Sequence, residues 1–283
     1  MASKLDDSRL ENNQAVQKEL DKLEQEHGFR ILSARDYGSK AWNLDSEKSD
    51  RDIAFVFISP VLDYAKIGGN TETISREIEF EGKSHSFMGW DIRKFARLLD
   101  NSNPTVIEFL KSPIVYRESD LLVKNGKDLF VELENHCTQN FKPIALFYHY
   151  RSMAKSNYNK YIKNSNDRCK KRFLYVIRGL IYSLYVEKTH KTPSVDFLEL
   201  LEKIDCMQEN IVPENIIDAA YSLAEDKRNG KGSEKLDNNS LVEWIEREMN
   251  REDIDNKAHD IRGIETGKLN KVIEEIYSSE INF

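Results

Sequence analysis

The sequence predicts an α+β fold, in which an N-terminal unit of strands and helices is followed by a helical C-terminal unit. Three observations lead there. Between Phe29 and Ile58 the chain reads as strand, turn, helix-like piece and strand. The run Asp52–Ile58, DIAFVFI, is almost continuously apolar, the mark of a strand covered on both faces. From about residue 119 onward the apolar residues recur at helical spacing, so we expect two domains, 1–118 and 119–283.

Taken in order, residues 10–27 carry Val16, Leu20 and Leu23 on one helical stripe, with Gly28 as the stop. FRILSA is a short strand, and SKAWNL a helix-like piece opening at Ser39 after Gly38. GGNTETIS reads as a loop, REIEFEG as an alternating strand and KSHSFMGW as a strand ending at Asp91. DIRKFARLLDNSN is an amphipathic helix with Ile92, Phe95, Ala96 and Leu99 on one side, and NPTVIEFL a second short helix. Further helical segments fall near 119–136, 141–163, 168–188, 194–204, 213–226, 239–253 and 263–279, and the polar stretch 225–240 reads as an exposed loop.

Composition narrows the function. Of 283 residues, 39% are hydrophobic and 32% charged, the balance of a globular protein. A net charge of −7 argues against a surface-wide field for nucleic acid, so any polyanion site is a local patch. No apolar run approaches the roughly 20 residues that span a bilayer, and MASKLDDSRLENNQ has no secretory apolar core, so a cytoplasmic protein is expected. Cys137, Cys169 and Cys206 have no C-x-x-C spacing and suggest neither disulfide framework nor thiolate zinc.

The chemistry concentrates in GSKAWNLDSEKSDRDIAFVFI, residues 38–58. Strand side chains alternate, so Asp50 and Asp52 share a face while Arg51 points away. Two adjacent carboxylates either raise each other's pKa or hold a cation between them. Hard oxygen ligands in such a pair suit Mg²⁺, which takes its remaining ligands from water and phosphates. Asp91 ends a second strand; if that strand lies beside 52–58, three carboxylates converge on a site for two metal ions. It also directly precedes IRKFARLL and is a candidate N-cap. Gly38 permits close approach of a phosphate, and a helix opening at Ser39 would aim free N–H groups at the anion. There is no G-x-x-x-x-G-K-[ST], which excludes a Walker-type phosphate loop.

This stretch resembles the GS…DxD signature of the DNA polymerase β-like nucleotidyltransferase superfamily. With GWDIRKFARLL, SNPTVIEFL, SPIVY, HYRSMA and KKRFLYVIRGL, the chain from about Ala34 to Leu180 resembles more closely the RNA ligase associated, or YcgL-like, nucleotidyltransferases. The resemblance implies a minimal polymerase β-like palm and transfer of NMP from an NTP such as ATP, with Mg²⁺, two ions expected and Mn²⁺ an alternative. It puts Gly38, Ser39 and Lys40 on the triphosphate-binding turn, Asp50 and Asp52 on the paired metal ligands, and Asp91 on the third carboxylate. The chain departs from the family pattern at Lys40, Asn43 and Arg51, where arginine, glycine and tyrosine are usual. None of these removes a metal ligand.

Downstream, between His149 and Arg178, nine basic residues stand against one acid, Asp167, with tyrosines interleaved. Helical spacing places Lys171, Tyr175, Arg178 and Tyr182 on one face, a cation–aromatic pattern suited to a nucleotide or RNA strand. The resemblance implies a nucleotide or acceptor contact by Lys171, Tyr175 and Arg178. The favoured acceptor is an RNA 3′ end, tRNA among the candidates and RNA repair the setting, with homo-oligomerisation left open. A protein side chain, as in AMP-transferring toxin or antitoxin systems, or a small molecule are the alternatives, and a non-catalytic RNA-binding module a more distant one.

Overall fold

The structure, a computed structural model, describes residues 13–67, 71–164, 168–252 and 263–280. Residues 10–12 of the first expected helix, the 68–70 part of the expected loop, Asp167 and residue 253 lie outside them. The chain divides into two compact units, one of residues 1–41, 50–140 and 263–283, the other of 42–49 and 141–262.

The first unit is built on a five-stranded mixed sheet of order β3-β4-β2-β1-β5. Its strands are β1 (Arg30–Asp36), β2 (Asp52–Ile58), β3 (Thr73–Phe80), β4 (Lys83–Asp91) and β5 (Val115–Glu118). Only β2 and β4 run parallel; the other neighbours are antiparallel. β2 is central, and its continuous apolar run is explained by burial from Ile53 to Ile58. α1 (Gln14–His27) is capped by Asn13, whose side chain accepts from Val16 N, and ended by Gly28 at φ +69°. Its stripe of Val16, Leu20 and Leu23 closes one sheet face over Phe29, Phe55, Phe57 and Phe87. Gly89 makes room there, since a Cβ at that position would overlap the Phe55 ring. α2 (Ile92–Asp100) and α3 (Pro104–Leu110) follow β4, with Phe95 and Phe109 edge to face at 5.6 Å.

The 119–136 stretch is not one helix. A short 3₁₀ turn, Asp120–Leu122, leads into a two-stranded hairpin, β6 (Val123–Lys124) and β7 (Lys127–Asp128). Asn125 and Gly126 turn it, both at positive φ, as a tight hairpin requires. Helix α4 (Leu129–Asn140) begins only then. It belongs to the first unit, with Phe130 stacked on Phe95 at 5.6 Å, so the boundary falls after 140 and not after 118. Helix α10 (Thr266–Glu280) also belongs to the first unit, its Tyr277 ring edge-on to Tyr64 at 5.4 Å.

In the second unit, α5 (Pro143–Asn157) passes into a π-helical turn, Tyr158–Lys163, and packs against α6 (Lys170–Thr189). Gly179 lets the helices approach, a Cβ there lying 3.0 Å from that of Ala154. Tyr182 seals the pair, edge-on to Tyr150 at 5.0 Å with its hydroxyl donating to the Ser194 and Val195 carbonyls. α7 (Phe197–Asp205), α8 (Glu214–Arg228) and α9 (Asn239–Met249) complete the unit.

Candidate active site

β1 delivers Asp36 to the start of the Gly-Ser turn. Residues 39–43 form turns and not the expected helix, so no helix dipole is aimed from Ser39. Asn43 at φ +58° closes the piece after one turn, and Asp36 holds that turn: its Oδ1 accepts from Gly38 N at 3.1 Å and from Ala41 N at 3.2 Å. Oδ2 accepts from the Tyr116 hydroxyl at 3.0 Å. Burial nonetheless pushes the Asp36 carboxyl up to about 6, against the lowering effect of these bonds and of Lys40.

β2 brings Asp52 against that turn. Tyr37 N donates to the Asp52 carbonyl at 2.9 Å, and the Ser39 amide donates to the Asp52 carboxylate. Contact with Gly38 is so close that an added Cβ would overlap Asp52 Oδ2 and lie 2.5 Å from its Cβ and Cγ. Glycine is needed here for space. Asp52 is half-buried and Asp50 exposed. The Asp52 carboxyl is pushed up to about 7, first by burial, then by the charges of Asp50, Asp36 and Glu77.

Glu77 had no signal in the sequence beyond an alternating strand. Register places it: Asp52 lies beside Ser86 of β4, and Ser86 opposite Glu77 of β3. Asp36 was missed as well, although an acid two residues before Gly-Ser at a strand end is visible in DYGS.

Asp91 does not join this group, which corrects the expectation of three converging carboxylates. β2 and β4 are indeed neighbours and parallel, but Asp52 pairs with Ser86 and Asp91 with Phe57. Five residues of strand separate them, about 16 Å, and the odd number turns Asp91 to the other face. There Asp91 is 1% exposed and occupied: Oδ1 caps α2 through Arg93 N at 2.9 Å, and Oδ2 accepts from the Tyr64 hydroxyl. We therefore expect Asp91→Ala to cost about 2–3 kcal/mol of stability through the lost cap and the stranded tyrosine. Its kcat should stay within about 3-fold of wild type, since no positioning group moves; calorimetry and a turnover assay below the transition check this.

Among the described residues no group of three or more His, Cys, Asp or Glu side chains is gathered closely enough to hold a metal by itself. A pair suffices for a cation that completes its shell with water and substrate phosphates. Asp50 and Asp52 fit that role: the mutual repulsion that raises Asp52 is what a cation would relieve.

Lys171, Tyr175 and Arg178 belong to the helical unit. Of the three, Arg178 is covered, whereas Lys171 and Tyr175 are half-buried. Arg178 is 4% exposed, its guanidinium lying 3.8 Å from the Trp42 ring and 4.3 Å from that of Tyr182, and Tyr175 meets Trp42 edge-on at 5.7 Å. Arg178 is thus a packing cation and not an open nucleotide contact. Lys171 is half-buried, its amide donating to Gly232 O at 2.9 Å. The segment 42–49, which joins the two halves of the Gly-Ser…Asp-x-Asp motif, is held in this unit: Phe197 N donates to Trp42 O at 3.1 Å, Asn43 Nδ2 to Asp196 at 3.0 Å and Lys227 Nζ to Ser49 Oγ at 3.1 Å.

A mixed sheet carrying a Gly-Ser turn against an Asp-x-Asp strand start has the parts of a nucleotidyltransferase. Comparison with known proteins fixes the class: the model of the family RlaP, the RNA repair pathway DNA polymerase beta family, matches residues 13–274. The chain belongs to that family and is a polymerase β-like nucleotidyltransferase. It is 31% identical over 245 residues to the uncharacterized protein YcgL of Bacillus subtilis (strain 168), covering 84% of this chain and 85% of that one. It also matches a crystal structure of a nucleotidyltransferase-like protein from Exiguobacterium sibiricum 255-15, 13% identical over 83% of this chain and 81% of that one. The TM-score of that match is 0.30. The YcgL-like resemblance of the sequence therefore holds. Among the described residues no helix is long and apolar enough to cross a membrane.

Proposed function

We propose that the chain moves an NMP group from an NTP to a hydroxyl at an RNA 3′ end, releasing pyrophosphate, with Asp50 and Asp52 as ligands of a divalent metal, Mg²⁺ favoured. The observation that supports this best is the Asp52 carboxylate packed directly against the Gly38-Ser39 turn, with Asp50, Asp36 and Glu77 all adding negative charge around it. Asp50 and Asp52 would hold the cation, which would supply charge neutralisation for the phosphates and acidify the acceptor hydroxyl. The chain's own residues do the rest. Gly38 leaves the turn flush against Asp52, so phosphate and carboxylates meet without an intervening side chain. The Ser39 hydroxyl, on a residue 5% exposed, would donate a hydrogen bond to a phosphate, and the Lys40 ammonium at the turn would offset the triphosphate charge. Lys171 and Tyr175 remain candidates for nucleotide or acceptor contacts on the helical unit.

RNA as acceptor is supported by the family's place in an RNA repair pathway and by the basic stretch of α5 and α6. The test is to incubate the protein with each α-labelled NTP, RNA and Mg²⁺. Label at RNA 3′ ends with one NTP preferred is the expected result. Label on the protein itself, or pyrophosphate release with unlabelled RNA, would overturn the choice of acceptor.

A further inference from the structure

The side of the sheet away from Asp52 carries a polar chain in an otherwise apolar layer. Arg51, the middle residue of Asp50-Arg51-Asp52, donates from Nη1 to the Tyr116 hydroxyl at 3.1 Å. Tyr116 donates in turn to Asp36 Oδ2 at 3.0 Å, and Asp36 Oδ1 holds the amides of Gly38 and Ala41. Asp36 and Tyr116 are 0% and 3% exposed, so neither is available to substrate. Register explains the meeting: Asp36 pairs with Ile53, so it shares the α1 face with Arg51, while Asp52 takes the other face.

The ends of this chain are themselves fixed. His85 Nδ1 accepts from Arg51 N at 2.9 Å. At the other end, Asp36 N donates to Ile114 O at 3.1 Å and Ser112 Oγ to Asp36 O at 2.6 Å. A buried carboxylate is costly, and one kept without substrate contact implies a structural demand at that spot. The demand here is spatial: the turn and the aspartate pair come from different strands, and the direct bonds between them, Tyr37 N to the Asp52 carbonyl and the Ser39 amide to its carboxylate, reach Asp52 but not the Arg51 side of the motif.

We infer that Arg51, Tyr116 and Asp36 form a positioning relay that locks the phosphate turn to the metal-binding pair from behind the sheet; this rests on the nucleotidyl-transfer reading above. None of the three is a catalytic residue. A misplacement near 1 Å of positioned groups costs rate on the order of 100-fold, which is the effect the relay prevents.

Tyr116→Phe removes the oxygen through which Arg51 meets Asp36 and leaves the ring in the core. We expect the apparent KM for NTP to rise about 10-fold with a smaller fall in kcat, because the turn loses its preorganisation. Amide exchange at Gly38 and Ala41 should speed up about 10-fold while the β2 amides keep their protection. Arg51→Met should reproduce the kinetic change, Arg51→Lys should recover most of it, and the double variant R51M/Y116F should be no worse than Y116F, since both cuts sever one path. Unchanged exchange at Gly38 and Ala41 in both Y116F and R51M, or multiplicative losses in the double variant, would overturn the relay. Wild type that turns over no NTP would instead overturn the reaction assigned above, and the exchange data would still decide on the relay.

Discussion

Asp52→Asn removes nucleotidyl transfer, by on the order of 1000-fold or more, and at the same time makes the metal-free protein more heat-resistant at pH 8. The second effect follows from the position of the carboxyl. In the folded protein it titrates near 7, well above an ordinary carboxylate near 4. Between those values the folded state keeps a proton that the unfolded chain has released, so stability falls as pH rises from about 4 to 7 and stays reduced above that. Asparagine carries no charge to desolvate or repel. Discounted for the half-exposed site, the gain is about 1–2 kcal/mol, or about 3–6 °C in unfolding temperature. It should vanish toward pH 4. Added Mg²⁺ should raise the wild-type transition and leave the variant's unchanged, because only the wild type has both ligands. Calorimetry at pH 4.5 and pH 8, with and without Mg²⁺, reads all four cases.

Gly38→Ala, by contrast, should lower both activity and stability. One methyl group would occupy the space of Asp52 Oδ2 and sit 2.5 Å from its Cβ and Cγ. The carboxylate tip could swing aside, but the Cβ is fixed to β2, whose next residue is wholly buried in the sheet. The turn must therefore lift away from the aspartates. Overpacking of this kind costs about 1–3 kcal/mol. The displaced turn should cost kcat/KM on the order of 100-fold, a larger loss than the stability change alone would give. Steady-state kinetics beside a thermal melt separate the two effects.

Much of the first unit was legible because its signals are local. The apolar run of β2, the stripe and caps of α1 and the Gly-Ser…Asp-x-Asp spacing each depend on residues close in sequence. The failures share a cause, which is that local pattern does not state long-range register. Asp91 satisfied the local test for a strand-end ligand and equally that for a helix cap; only the pairing of Asp91 with Phe57 decides between them. SKAWNL is helical in spacing, yet Asn43 at φ +58° closes it after one turn. Arg178 sits on the face that the period assigned, but Trp42, 136 positions earlier, covers it. Tyr116 reaches Asp36 across 80 residues, beyond any window a motif could span. The boundary expected at 118 failed because α4 and α10 read as helices wherever they pack, and these two pack on the sheet unit.

In the reaction proposed for this chain, Asp50 and Asp52, without Asp91, carry the metal-dependent transfer. The most direct test is transfer of α-labelled nucleotide by wild type, Asp50→Ala/Asp52→Ala and Asp91→Ala side by side, each verified as folded at the assay temperature. We predict label from wild type and Asp91→Ala and none from the double variant; an inactive Asp91→Ala or an active double variant would contradict it.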